Sequence, residues 1–178
     1  MMPPEVDETM RTFRIIVDTR EQATDKALER YAAFGCPYEK ATLRYGDYCA
    51  SVTLPDGRQL YDTSEPIKAV CAIERKMSLE ELSACFTRDR KRFVREFDRA
   101  LDQNAKIYLL VENGSWEAIL KHRYRTQFNP NAFMASLAAW SARYDLTPVF
   151  CRSATSGRLI KEILFRDMKE RLLKGEYG

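Results

Sequence analysis

Apolar runs and periodic stretches alternate along this chain. Phe13-Arg14-Ile15-Ile16-Val17 reads as a buried strand that ends at Asp18. An alanine-rich stretch over residues 23–34 predicts a helix, and Gly35 is well placed to end it. Tyr38 to Leu43 predicts a second strand, followed by a bend at Tyr45-Gly46-Asp47. Tyr48 to Leu54 and Arg58 to Tyr61 flank Pro55-Asp56-Gly57 and predict a hairpin. Ala69 to Ile73 is another apolar run, delivering Glu74-Arg75-Lys76 at its end.

Helical signals dominate the second half. Ser78-Leu79-Glu80-Glu81 matches a capping box, with Met77 and Leu82 at hydrophobic-staple positions, so a helix is expected to start there. More helix is predicted over 88–102, where Phe93, Phe97 and Leu101 recur at every fourth position. Ile107 to Val111 reads as a core strand. Phe133, Leu137, Trp140 and Tyr144 mark one face of an amphipathic helix, more plausibly core than binding surface. Thr147 to Cys151 predicts the last strand and residues 155–173 a terminal helix. Residues 1–11 are polar and predict a loosely ordered tail, leaving 12–178 as a single domain. This order of elements predicts an α/β fold, a mixed central sheet flanked by helices.

Composition narrows the function classes. The net charge is only +3, so its distribution matters more than its sum. Residues 88–95 hold five basic side chains against one acid, and 121–125 read Lys-His-Arg-Tyr-Arg. Arg88, Arg90, Lys91 and Arg95 are therefore candidate DNA contacts, weighed against the plainer reading of a solvated helix face. The five cysteines are scattered without a Cys-x-x-Cys, and His122 is the single histidine, which argues against structural zinc. Free thiols suit a reducing, cytoplasmic or otherwise intracellular setting. Neither a secretory signal nor a run of membrane-spanning length is expected.

Asp18, Asp47, Glu74 and Glu80 fall at predicted strand ends or helix starts, where α/β proteins place their sites. Lys76 follows Glu74 by two positions, so both project to one side of an extended segment. Phosphodiester cleavage uses this mixture. Carboxylates hold a hard divalent cation, and Mg²⁺ takes one or two of them plus waters. An adjacent ammonium can orient the attacking water. Taken singly, each residue has a bland role: Asp47 in a turn, Glu80 at a helix dipole, Glu74 and Lys76 as an exposed ion pair.

The surrounding residues make the pattern specific. Ile16-Val17-Asp18-Thr19-Arg20-Glu21, Tyr45-Gly46-Asp47-Tyr48 and Ile73-Glu74-Arg75-Lys76 occur in that order. Together they resemble the XPF-type structure-specific endonuclease family, whose pattern is Val-Asp-x-Arg-Glu, Gly-Asp-Tyr and Glu-Arg-Lys-x-x-x-Asp. Arg92 and Glu96 resemble that family's Arg-x-x-x-Gln, and the likeness extends over most of the chain. The resemblance implies a restriction-endonuclease-like fold and a catalytic set of Asp18, Asp47, Glu74, Lys76 and Glu80. Asp47 and Glu74 would hold Mg²⁺ or Mn²⁺, with Asp18 a further ligand or linked through water. Lys76 would hold the nucleophilic water. Arg20, Glu21, Arg75 and Arg92 would support the site or contact phosphate.

Two departures stand out. Glu80 replaces an aspartate and reaches one methylene further. Glu96 replaces a glutamine, losing an amide donor and placing negative charge near the expected DNA path, which counts against a catalytic part. The implied substrate is branched, flapped or otherwise structured DNA, with a homodimer or heterodimer as the assembly. A catalytically silent DNA-binding or dimerisation module and a duplex-cutting restriction-type nuclease are the rival readings. Retention of Asp18, Asp47, Glu74 and Lys76 favours activity.

Overall fold

The computed structural model describes residues 1–177. In chain order the elements are α1 (Pro3–Met10), β1 (Arg14–Asp18), α2 (Asp25–Ala32), β2 (Tyr38–Ala41) and β3 (Tyr48–Ser51). Then come β4 (Cys71–Lys76), α3 (Leu79–Phe86), α4 (Arg90–Leu101) and β5 (Lys106–Glu112). The chain finishes with α5 (Trp116–Leu120), α6 (Pro130–Arg143), β6 (Leu146–Cys151) and α7 (Ser153–Lys174).

One six-stranded sheet runs in the order β2-β1-β3-β4-β5-β6. β3 is antiparallel to both β1 and β4, whereas β1–β2, β4–β5 and β5–β6 pair in parallel. The architecture is the expected mixed sheet between helices, a restriction-endonuclease-like fold.

Alternation along the strands divides the core. Ile15, Val17, Tyr48, Ile73 and Leu110 pack with residues of α1, α2 and α7 on one face. Ala72, Leu109 and Val111 pack with residues of α3 to α6 on the other. Trp140 is central there, 1% exposed and ringed by Phe86, Phe93, Phe97 and Tyr144. The stripe Phe133, Leu137, Trp140 and Tyr144 is therefore core, as its spacing predicts. Burying such a face supplies most of a helix's stability, because propensity alone leaves short helices marginal. On the first face, α2 and α7 come so close that a Cβ on Gly157 would lie 2.3 Å from the Arg30 carbonyl oxygen.

Several local expectations change. Residues 1–11 are not a loose tail. Pro3–Met10 is helical, and Val6, Thr9 and Met10 are buried, Val6 and Met10 within the α7-side core. The predicted hairpin shrinks to β3 and a single bridge between Thr53 and Gln59. Ser78 does cap α3, accepting from the Glu81 N–H at 3.2 Å, but the Glu81 carboxylate returns to the N–H of Met77 rather than Ser78. Met77 stays 56% exposed, so it does not close the core as a staple would. The sequence pattern also misses the short helix α5, which Ser115 starts by accepting from the Ala118 N–H.

Candidate active site

Strand register assembles the acids. Val17 pairs with Tyr48, and Tyr48 with Ile73. On the next rung the Asp18 N–H donates to the Asp47 carbonyl and the Asp47 N–H to the Ile73 carbonyl, each at 2.8 Å. Asp18, Asp47 and Glu74 therefore stand side by side across three adjacent strands, on the sheet face that packs against α3 and α4. Lys76 joins them two residues beyond Glu74, by the period of the strand.

The turn before Asp47 depends on Gly46. It sits at φ +75°, and an added Cβ would lie 2.8 Å from the Ala72 Cβ and 3.2 Å from the Ile73 carbonyl oxygen. The Asp47 carboxylate then folds onto β4, where Oδ2 accepts from the Arg75 N–H at 2.7 Å.

Glu74 and Lys76 form a buried pair, 5% and 6% exposed, with Nζ donating to Oε1 at 2.6 Å. An exposed strand-end ion pair is thereby excluded. The Lys76 Nζ also lies 4.8 Å from the centre of the Phe93 ring on α4. Burial works against its charge, but Glu74 beside it and Asp47 beyond outweigh that and raise its pKa, so it remains an ammonium. Burial and the neighbouring Asp47 charge push Glu74 well above the ordinary carboxylate range, against the pull of Lys76. Burial raises Asp47 to about 6, opposed by Lys76 and the Arg75 N–H. Burial thus disfavours the ionised form of both Asp47 and Glu74, despite the ammonium beside them.

Asp18 closes the rung. It is 1% exposed, with Oδ1 accepting from the Leu43 N–H at 2.9 Å and Oδ2 from Arg20 Nε at 2.5 Å. Both oxygens are engaged, which leaves it better placed to hold Arg20 than to bind an ion. The Arg20 side chain is 56% exposed and feels the charges of Glu96 and Asp47.

Arg75 and Glu21 lie elsewhere. Alternation turns the Arg75 guanidinium to the opposite sheet face, 3.4 Å from Glu21 and 3.3 Å from Glu112. Arg30 completes a half-buried square, 3.7 Å from Glu112 and 3.9 Å from Glu21, and its Nε donates to the Tyr48 hydroxyl. Arg75 makes its hydrogen bond to the acids through its backbone N–H. Glu80 also points away. Its Oε1 accepts from the Arg125 N–H at 3.0 Å, so it ties the basic 121–125 loop to the start of α3. Partial burial opposes ionisation of Glu80, but the hydrogen bonds it accepts win and lower its pKa.

Arg88, Arg90, Lys91, Arg92 and Arg95 are all exposed. At about 100° per residue, Arg92 shares the side of α4 that carries Glu96, Arg95 sits a quarter turn round, and Arg90 and Lys91 lie on the far side. Glu96 is the surprise. Its Oε1 accepts from the Gly46 N–H at 3.0 Å, and its charge reaches Asp47, Glu74 and Arg20. The sequence pattern argues against a part for Glu96, and the one signal for it is its place at the end of the Arg-x-x-x-Gln motif.

A family model for the ERCC4 domain matches residues 17–163, which span the whole rung and α4. The chain belongs to the ERCC4 domain family. No curated protein matches it. Among solved structures, XPF from Aeropyrum pernix is similar at 20% identity and a TM-score of 0.56, covering 86% of this chain and 60% of that one. The same protein in complex with DNA gives a TM-score of 0.59 at 20% identity, covering 88% and 65%. This ERCC4 domain thus spans less than two thirds of those chains.

The donors of the ERCC4 domain fit a hard divalent cation. Asp47 Oδ1 and Glu74 Oε2 make no hydrogen bond among the described residues, and a cation would favour the ionised forms that burial disfavours. Among the described residues no group of three or more His, Cys, Asp or Glu side chains is arranged to hold a metal ion, so Asp47 and Glu74 would be a two-carboxylate site. Mg²⁺ suits such a site, because it keeps much of its water shell.

Proposed function

We propose that this ERCC4 domain is a divalent-metal-dependent endonuclease that hydrolyses phosphodiesters in branched, flapped or otherwise structured DNA. One observation carries the reading: Asp47 and Glu74, both raised in pKa, stand beside a buried ammonium on Lys76. The XPF structure solved with DNA supports DNA as the partner.

Asp47 and Glu74 would hold Mg²⁺ or Mn²⁺, which when bound neutralises charge growing on the phosphate and acidifies the attacking water. Lys76 cannot serve as the general base, since Glu74 holds it protonated. It acts instead as a donor, with N–H groups beyond the one given to Glu74, fixing the water and stabilising negative charge. Phe93 limits the positions that ammonium can take. Arg20, steered by Asp18, and Arg92 offer exposed guanidinium groups to the phosphates on either side. Glu80 contributes indirectly by holding the basic loop.

The test incubates labelled flap, fork and duplex DNA with Mn²⁺ and either the wild type or Asp47→Ala. Cleavage of flaps or forks by the wild type alone is expected. Equal cutting by both proteins at high enzyme would sink the proposal. Cutting of plain duplex at fixed sites would point to a restriction-type nuclease.

A further inference from the structure

The side chain that least fits its surroundings is Glu96. It brings a third acid to a place where two are already close, and among the described residues no cation forms an ion pair with it. Holding the Gly46 N–H does not need a charge, since the carbonyl oxygen of a glutamine could accept that hydrogen bond as well.

Charge counting gives the acid a use. On the opposite sheet face Glu21 and Glu112 are balanced by Arg30 and Arg75. On the rung face stand four carboxyl groups, Asp18, Asp47, Glu74 and Glu96, and the cations paired with them are Lys76 and Arg20. Once a bound cation has displaced the protons of Asp47 and Glu74, four carboxylates face two cations, and the excess of two negative charges is the complement of a divalent ion. With glutamine in place of Glu96, one would remain.

The geometry points to Glu96 as a positioning residue of the metal site, holding the Gly46–Asp47 turn and supplying negative charge to the cation from beyond its direct ligands. This deepens the metal-dependent reading above and rests on it. The two contributions are separable. Glu96→Gln keeps an acceptor for Gly46 and removes the charge, whereas Glu96→Ala removes both.

The experiment titrates Mn²⁺ alone, without DNA, into the wild type, Glu96→Gln, Glu96→Ala and Asp47→Asn by calorimetry. Hydrogen exchange at the Gly46 amide is followed in parallel. Glu96→Gln is expected to keep Gly46 protected and to bind Mn²⁺ roughly tenfold more weakly, about 1.4 kcal/mol. Its metal-free form should unfold at the same or higher urea concentration than the wild type. Glu96→Ala is expected to lose Gly46 protection as well. Mn²⁺ affinity of Glu96→Gln within twofold of the wild type would overturn the inference, leaving Glu96 as a turn-holder only. That result differs from failure of the underlying reading, in which the wild type itself binds no Mn²⁺, or Asp47→Asn binds it equally well. Such an outcome removes both.

Discussion

Replacing Asp47 by asparagine removes one charge from the rung and leaves an oxygen to accept from the Arg75 N–H, now held at 2.7 Å. The folded protein holds the Asp47 proton up to about pH 6, whereas an ordinary aspartate releases it near 3.8. Between those values the native state binds more protons than the unfolded chain, so stability falls as pH rises. Above about pH 6 the whole penalty is present, and below about pH 4 it is gone. The interval corresponds to roughly 3 kcal/mol at full strength, and partial solvent access reduces it to about 1–3 kcal/mol. Asparagine never ionises and escapes this cost. At pH 8 in a chelator, Asp47→Asn should therefore be more stable than the wild type by that amount. In a protein of this size that is a rise in melting temperature of about 2–10 °C. At pH 4 the two should unfold together. Excess Mg²⁺ should stabilise the wild type and not the variant, because only a binding-competent native state gains from ligand. Urea unfolding at both pH values, with and without Mg²⁺, measures all of this. An Asp47→Asn protein that is less stable at pH 8, or whose advantage does not change with pH, would refute the reasoning.

Three further outcomes are expected. Because Asp47 and Glu74 are raised, Mn²⁺ binding near pH 6 should release protons, with heats that depend on the buffer's ionisation enthalpy; buffer-independent heats would contradict this. Gly46→Ala should cost about 1–3 kcal/mol and lower cleavage, since the alanine meets both a left-handed backbone and the Ala72 Cβ; unchanged urea midpoint and rate would count against the turn's role. Arg75→Gln should destabilise by roughly 1–3 kcal/mol by breaking the half-buried square, yet spare more cleavage per folded molecule than Lys76→Met. A stable Arg75→Gln protein that loses DNA affinity would instead place that guanidinium on the substrate.

The residues of the rung were legible in the sequence because each belongs to a short motif at a strand end. Asp18 closes an apolar run, Gly46 marks a bend, and Glu74 and Lys76 share a strand face by simple alternation. That alternation also implies that Arg75 points the other way, although only the structure names its partners Glu21 and Glu112. Most helices and strands were equally readable, since amphipathic periodicity is a local property. Residues 1–11 show the limit. Their composition is polar, and only the surface of α7 turns Val6 and Met10 into buried contacts. Glu80 and Glu96 show it at the site. By motif, Glu80 belongs with the acids and Glu96 does not, whereas the fold ties Glu80 to the Arg125 loop and Glu96 to Gly46. The reason is physical. Strand register and motif spacing act over a few residues, but which side chain reaches the Gly46 amide depends on how α4 docks through Phe93 and Phe97 against Trp140. Side-chain identity set the acids of the rung, and helix packing decided which charges stand around them.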